Sequence, residues 1–224
     1  MTHLDLLEKQ IVRCQKCPRL VRYITEIRKK FPGYWCRPVP GFGDPGAKIL
    51  LIGLAPGRFG SNRTGRMFTG DASGNFLYPV LYETGLATQS NATSIHDGLQ
   101  LKNTFITAVL RCAPPQNKPK PDEIRNCRPY LERELTLLSN LHVVVALGKV
   151  AHDEYVKIRL KKETGRLAGL PFCHGAVYRF SEEPEILIDT YHPSRQNTNT
   201  GRLTSEMFLK VFKQAAQFGR DCDD

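Results

Sequence analysis

The stretch 142-HVVVAL-147 holds three consecutive valines, an alanine and a leucine, and it runs into Gly148. β-Branched residues fit a pleated strand, and the run lacks the polar alternation of a strand with one wet face. It therefore predicts a strand buried on both faces. Three other short apolar runs resemble it: Lys48–Gly53, Thr104–Leu110 and Glu185–Thr190. Helical patterns at Ser73–Glu83, Pro121–Ser139, Lys149–Ile158 and Thr204–Phe218 separate or follow these runs. The second opens with Pro-Asp-Glu, which suits a helix amino terminus, and repeats Ile124, Leu131, Leu135 and Leu138 on one face with Cys127. Pro129 interrupts that pattern and could displace the start. Asn91–Gln100 and Lys161–Ala176 read as irregular connectors. Alternating strands and helices predict an α/β fold with a parallel sheet covered on both sides.

A chain of 224 residues fits one domain, since single cores extend to about 250 residues. No apolar run approaches the roughly 20 residues needed to span a bilayer. The opening MTHLDLLEKQ has no signal-peptide character, so a soluble intracellular protein with reduced cysteines is expected. The net charge of +10 points to a polyanionic partner. Charge is concentrated between Arg13 and Arg37, where eight basic residues face one acid, Glu26.

In open parallel sheets, ligands bind beyond the carboxyl ends of the strands. Here those ends lead into GLAPGRFGSNRTGRMFTGDASG, RCAPPQNKPKP, GKVAH and YHPSRQNTNTGR. The first loop, Gly53–Gly74, holds six glycines and the cations Arg58, Arg63 and Arg66, with no acid before Asp71. It lacks the Gly-Lys-Ser/Thr of a nucleotide-hydrolase phosphate loop, which argues against that class. Asp71 either caps the following helix or serves a site. Phe68 is either an anchor for the loop or a platform for a flat ligand. His192 sits among Ser194, Arg195, Gln196, Asn197 and Thr198, a polar setting that favours a functional role. Asn117, Lys118 and Lys120 lie in the loop after the second strand, where Asn suits a base edge and Lys a phosphate.

Four of the seven cysteines form two distant pairs, Cys14 with Cys17 and Cys112 with Cys127. Two intervening residues let Cys14 and Cys17 face one centre, and the other pair can join them in a folded chain. Four thiolates suit tetrahedral zinc or a [4Fe–4S] cluster; disulfides or inert buried thiols are the bland alternative. Cys36, Cys173 and Cys222 show no partner pattern.

Several ordered segments carry a resemblance over nearly the whole chain. They are CQKCPRL at 14–20, PVPGFGDP at 38–45, GLAPG at 53–57, SNRTGRMFTGDASG at 61–74, RCAPP at 111–115 and YHPSRQNT at 191–198. Together they resemble the iron–sulfur type of the uracil-DNA glycosylase superfamily, most like its fifth family. The resemblance implies a single α/β/α sandwich over residues 1–224 around a central, mainly four-stranded parallel sheet. It implies a structural [4Fe–4S] cluster on Cys14, Cys17, Cys112 and Cys127. The expected partner is DNA carrying uracil or another deaminated base, met in a prokaryotic cytoplasm at the nucleoid, by a monomer without a membrane role.

The same resemblance gives the roles expected of single residues. Phe68 would stack on an extruded base and His192 would donate to its oxygen, with Gly53, Leu54, Ala55 and Gly57 lining the pocket. Asp71 would position water or stabilise the sugar cation, and Asn117 would touch the base or backbone. Arg58, Arg63 and Arg66 would hold phosphates, and Arg195, Gln196 and Asn197 would flank the groove. Two departures stand out: Leu54 replaces the Asp or Glu of many relatives, and Ala108 stands near the place of a base-reading Asn. Both are features of the fifth family and imply a broader pocket that admits hypoxanthine. No lysine stands out as a Schiff-base nucleophile, so a monofunctional enzyme is expected. The alternatives are a non-catalytic DNA-binding iron–sulfur protein and a redox protein.

Overall fold

The computed structural model describes residues 2–160, 170–180 and 186–220. Its centre is a six-stranded sheet in the order β1-β3-β2-β4-β6-β5. The strands are β1 (Phe42–Gly43), β2 (Ile49–Gly53), β3 (Thr104–Ala108), β4 (Val143–Leu147), β5 (Val177–Arg179) and β6 (Ile186–Thr190). The inner four, β3, β2, β4 and β6, are parallel, and the two short edges pair antiparallel. The four predicted runs are those inner strands. Glu185, the expected start of the last, lies outside the described residues. The two edge strands escaped prediction because two or three residues carry no readable period.

Every residue of the four inner strands is buried. Alternation then sends successive side chains to opposite faces. Ile49, Leu51, Val143, Val145, Ile186 and Ile188 join one core, and Leu50, Ile52, Val144, Ala146 and Leu187 join the other. Past the short α3 (Ser61–Thr64), the helices α4 (Ala72–Glu83) and α8 (Ser205–Arg220) cover the first face, bringing Leu77, Leu81, Phe208, Phe212 and Ala215. On the second face lie α2 (Pro18–Lys30), α5 (Pro121–Leu137) and α6 (Lys149–Leu160), with Leu20, Leu131, Leu135, Ala151 and Tyr155. The amino-terminal α1 (His3–Val12) lies on α5 through Leu7, Ile11 and Tyr130. The result is a three-layer α/β/α sandwich. Each fully buried aliphatic side chain contributes about 1.5–3 kcal/mol to it.

Pro129 lies inside α5, which starts at Pro121 regardless. Residues 91–100 form no regular element, as expected. The second expected connector is described only from Leu170 onward, and Cys222 is not among the described residues. Under the sheet, Arg111 is fully buried and pairs with Glu134 at 2.5 Å, while Thr107 Oγ1 donates to the same carboxylate at 2.6 Å. Breaking such a buried pair from one side typically costs about 3–5 kcal/mol. It fixes the end of β3 to α5, so the loops beyond β3 start from a rigid point. No described helix is long and apolar enough to cross a membrane.

Candidate active site and cysteine pocket

The carboxyl ends of β2, β4 and β6 meet in one crevice. At the end of β2, Gly53 lets the Phe68 ring lie against the backbone. A Cβ added to Gly53 would stand 2.9 Å from both Phe68 Cε2 and Cζ. Phe68 itself adopts a left-handed backbone, φ +51°, which costs a non-glycine residue about 1–3 kcal/mol. Its neighbours hold it there. Tyr78 Oη donates to the Met67 carbonyl at 2.8 Å and Thr64 Oγ1 to the Thr69 carbonyl at 3.1 Å. Gly74, in the first turn of α4, admits the Phe68 carbonyl, which a Cβ there would meet at 1.8 Å.

His192 closes the crevice from the far side. Its ring centroid lies 5.8 Å from that of Phe68, with the planes 31° apart. Its carbonyl accepts from the Ser194 amide and from Asn197 Nδ2, each at 2.8 Å. Gly148, just past β4, has φ +101° and faces His192 Cβ closely, at 3.4 Å from where its own Cβ would be. Burial pushes the imidazole down to about 4, so it is neutral at pH 7. Among the described residues neither ring nitrogen has a protein partner, which leaves one N–H for a ligand.

Asp71 caps α4, Oδ1 accepting from the Gly74 amide at 3.1 Å. Its other oxygen rests against bare loop backbone. Added Cβ atoms at Gly60 and Gly57 would lie 1.9 and 2.9 Å from Oδ2. Burial raises its pKa, while the Gly74 and Ser73 amides, Arg195 and Arg63 pull the other way. Arg195 comes from α7 (Arg195–Asn199), directly after His192, so the carboxylate feels the charge of the His192 loop. Asp71 thus has both of its expected roles open to it.

The remaining sequence-derived residues divide. Leu54, Ala55 and Gly57 line the start of the loop and are partly exposed, as are the more open Arg195 and Gln196. Arg66 is not a phosphate ligand. It is 4% exposed, bidentate to Asp97 at 2.8 and 2.6 Å, and donates to Thr69 Oγ1 at 2.9 Å. Arg63 braces the loop through the Phe59 and Gly70 carbonyls at 2.7 and 2.8 Å. Asn197 is committed to the His192 carbonyl. Asn117 is exposed at φ +55° in a turn bonded to the Pro114 carbonyl. Tyr78 and Asp97 were missed: each acts on loop backbone or on Arg66 across many residues, and no local pattern announces that.

Cys14, Cys17, Cys112 and Cys127 line a single pocket with Leu20, Val21 and Tyr130. None of the four is paired in a disulfide in this structure. Cys14 follows α1, Cys17 begins α2 ahead of Pro18, Cys112 follows β3, and Cys127 sits in α5. Arg19 clamps α2 to α5 through two bonds of 2.7 Å to Glu123 and one of 3.2 Å to the Lys118 carbonyl. Burial, then repulsion from the other three sulfurs, pushes Cys112 far up. Burial likewise takes Cys127 to about 11 despite opposing help from Arg111. Thiols so placed become thiolates only against a cationic centre. Among the described residues no three His, Cys, Asp or Glu side chains close on the point a lone metal ion would need.

The neutral state of His192 has a measurable consequence. Between about 6.5 and about 4 the unfolded chain binds a proton at this residue that the folded chain does not. Stability contributed by His192 is therefore lost as pH falls through that window and levels off below it. An NMR titration should place the ring midpoint near 4, and His192→Gln should flatten that part of the pH–stability profile. A midpoint near 6.5 would contradict the burial argument.

The description "Uracil DNA glycosylase superfamily" matches residues 40–216. The chain is 50% identical over 210 residues to a type-5 uracil-DNA glycosylase of Thermus thermophilus, covering 92% of this chain and 93% of the relative. It is 40% identical over 216 residues to a type-5 enzyme of Pyrobaculum aerophilum, covering 95% and 92%. A type-4 uracil-DNA glycosylase of Sulfurisphaera tokodaii matches at 30% over 216 residues, covering 94% and 84%. A superfamily match that spans all six strands of the sheet, with full-length similarity on either side of the crevice, makes this chain a member of the uracil-DNA glycosylase superfamily.

Proposed function

We propose that this chain removes uracil, and other deaminated bases such as hypoxanthine, from DNA by hydrolysing the N-glycosidic bond. The observation that carries the reading is the Phe68–His192 pair, 5.8 Å apart at the carboxyl edge of the sheet. A base cannot be reached inside a duplex, so it must enter a pocket, where a ring such as Phe68 can stack on it. As the bond from C1′ to the base nitrogen breaks, its electron pair moves onto the base. The neutral His192 donates its N–H to the base oxygen that gains this charge. Loop amides beyond Gly53 act in the same sense, as preorganised donors in a site shielded from water. The sugar becomes cationic at C1′, and water adds there while Asp71 orients it and stabilises the cation. The water proton ends on the departing base.

Leu54 brings no carboxylate to the loop, which leaves Asp71 as the nearby acid. Ala108 is small and buried at the end of β3, and it presents no amide to select one base edge. Both features support a broad substrate range. The sequence singles out no lysine as a Schiff-base nucleophile, which supports a monofunctional enzyme that leaves the abasic site uncut. Arg58 and Arg195 remain to hold phosphates, giving an affinity that falls steeply with salt.

Cys14, Cys17, Cys112 and Cys127 fit a [4Fe–4S] cluster, which would cross-link α1, α2, the β3 loop and α5 when bound. One contact favours a sulfur ligand: Asn126 Nδ2 lies 3.8 Å from Cys17 Sγ. Four sulfurs round a pocket, without closing on one point, suit a polynuclear group better than zinc. Anaerobically purified protein should carry about four iron and four labile sulfide per chain, and Cys127→Ser should lose both. Stoichiometric zinc in their place would overturn the cluster.

Base release from duplexes containing one uracil, one hypoxanthine or only normal bases tests the enzyme. Release from the first two alone is expected, with His192→Ala slowing it about 10²–10³-fold, the usual loss for an oxyanion donor. Asp71→Asn should lower the rate while its Oδ1 still caps α4. Tight binding without release from any duplex would instead mark a DNA-binding iron–sulfur protein.

A further inference from the structure

Outside the crevice, Phe31, Tyr34 and Phe59 form a ring cluster that the mechanism does not use. Phe31 stacks on Tyr34 at 4.7 Å and 16°, and meets Phe59 edge-on at 6.3 Å and 86°. None of the three packs into the buried cores, and Phe59 is 54% exposed. The Arg58 guanidinium lies 4.8 Å over the Phe59 ring, and among the described residues its buried Nε has no hydrogen-bond partner. Cations neighbour the cluster in sequence. Arg28, Lys29, Lys30 and Arg37 share the segment 28-RKKFPGYWCR-37, which contains no acid.

The segment is fixed to the active-site loop. The Trp35 and Cys36 amides donate to the Arg63 and Asn62 carbonyls at 2.9 and 3.0 Å. Trp35 also covers Gly65, where an added Cβ would meet its ring at 2.8 Å. Phe59 in turn precedes Gly60, the residue whose bare backbone admits Asp71. The rings therefore begin one residue from the crevice. Beyond them, a groove of about 640 Å³ is lined by Arg13, Arg28, Trp35 and Arg37, with Glu8 its one acid.

We infer that Phe31, Tyr34 and Phe59, with Arg58 and Arg37, form a stacking platform for unpaired bases, so that the chain takes single-stranded DNA beside the base it excises. The exposed Phe59 ring and the half-buried Phe31 and Tyr34, interleaved with arginines, suit this ligand: every base offers a π-face, and cations track the phosphates. Bases paired and stacked in a duplex cannot use such a platform. The charge complementarity favours a nucleic acid over a protein partner.

The inference rests on the glycosylase reading, and the test separates the two. The kcat/KM for uracil release would be measured on single-stranded and duplex oligonucleotides of one sequence, for wild type, Phe59→Ala and Phe59→Trp. Binding of a uracil-free single strand would be followed by anisotropy. Phe59→Ala should lower the single-strand kcat/KM and affinity about 5- to 150-fold, the range for one stacked base, and the duplex kcat/KM less than about twofold. Phe59→Trp should keep the wild-type ratio. Equal losses on both substrates, or no loss on either, would overturn the platform, as would unchanged single-strand binding by Phe59→Ala. Wild type that releases no uracil would sink the glycosylase reading alone, because the binding arm still judges the platform.

Discussion

The missing side chain of Gly53 is the constraint on which the crevice depends. A single methyl group there would stand 2.9 Å from the Phe68 ring and push it off the end of β2. With the ring seated, the loop that follows must turn back at Phe68 in a left-handed conformation, and Gly74 must leave room for its carbonyl. Asp71 then falls at the start of α4 with its carboxylate over Gly57 and Gly60. The close approach at one strand end thus fixes a base-sized ring, a carboxylate and the approach of His192 from β6.

Charge is distributed within this frame by burial. Arg66 and Arg111 lie inside and answer Asp97 and Glu134, so they stabilise loops and strands rather than meet ligands. His192 is kept neutral, and a neutral N–H can donate to an oxygen that becomes anionic without having carried a full charge into the pocket. The fully buried His152 contrasts with it. His152 bonds Asp189 at 2.8 Å and the Leu170 carbonyl at 2.8 Å, and these partners outweigh desolvation and raise its pKa. Environment, not residue type, sets the two histidines apart.

The sheet was legible because burial on both faces leaves a simple mark. HVVVAL and its three companions read as strands, and their downstream loops located the crevice. His192, Phe68 and Asp71 could be singled out because polar or glycine-rich sequence surrounds them. The arginines of the first loop could not be sorted. Arg58, Arg63 and Arg66 look alike in sequence, yet Asp97, 31 residues beyond Arg66, draws only that one into the interior. Asn197 likewise looked like a groove residue, and its bond to the His192 carbonyl depends on the turn made by α7. The pairing of Cys14 and Cys17 with Cys112 and Cys127 was readable as four similar residues, but their common pocket needed the clamp of Arg19 on Glu123.

The account turns on a base stacked on Phe68 with its oxygen hydrogen-bonded to His192. Its most direct test is a crystal structure of the chain with DNA carrying 2′-fluoro-deoxyuridine, whose electron-withdrawing fluorine resists cation formation at C1′ and so blocks cleavage. The account predicts the uracil out of the stack, its ring against Phe68 and an oxygen within hydrogen-bond reach of a His192 ring nitrogen. Uracil held elsewhere, or left in the helix with the crevice facing solvent, would contradict it.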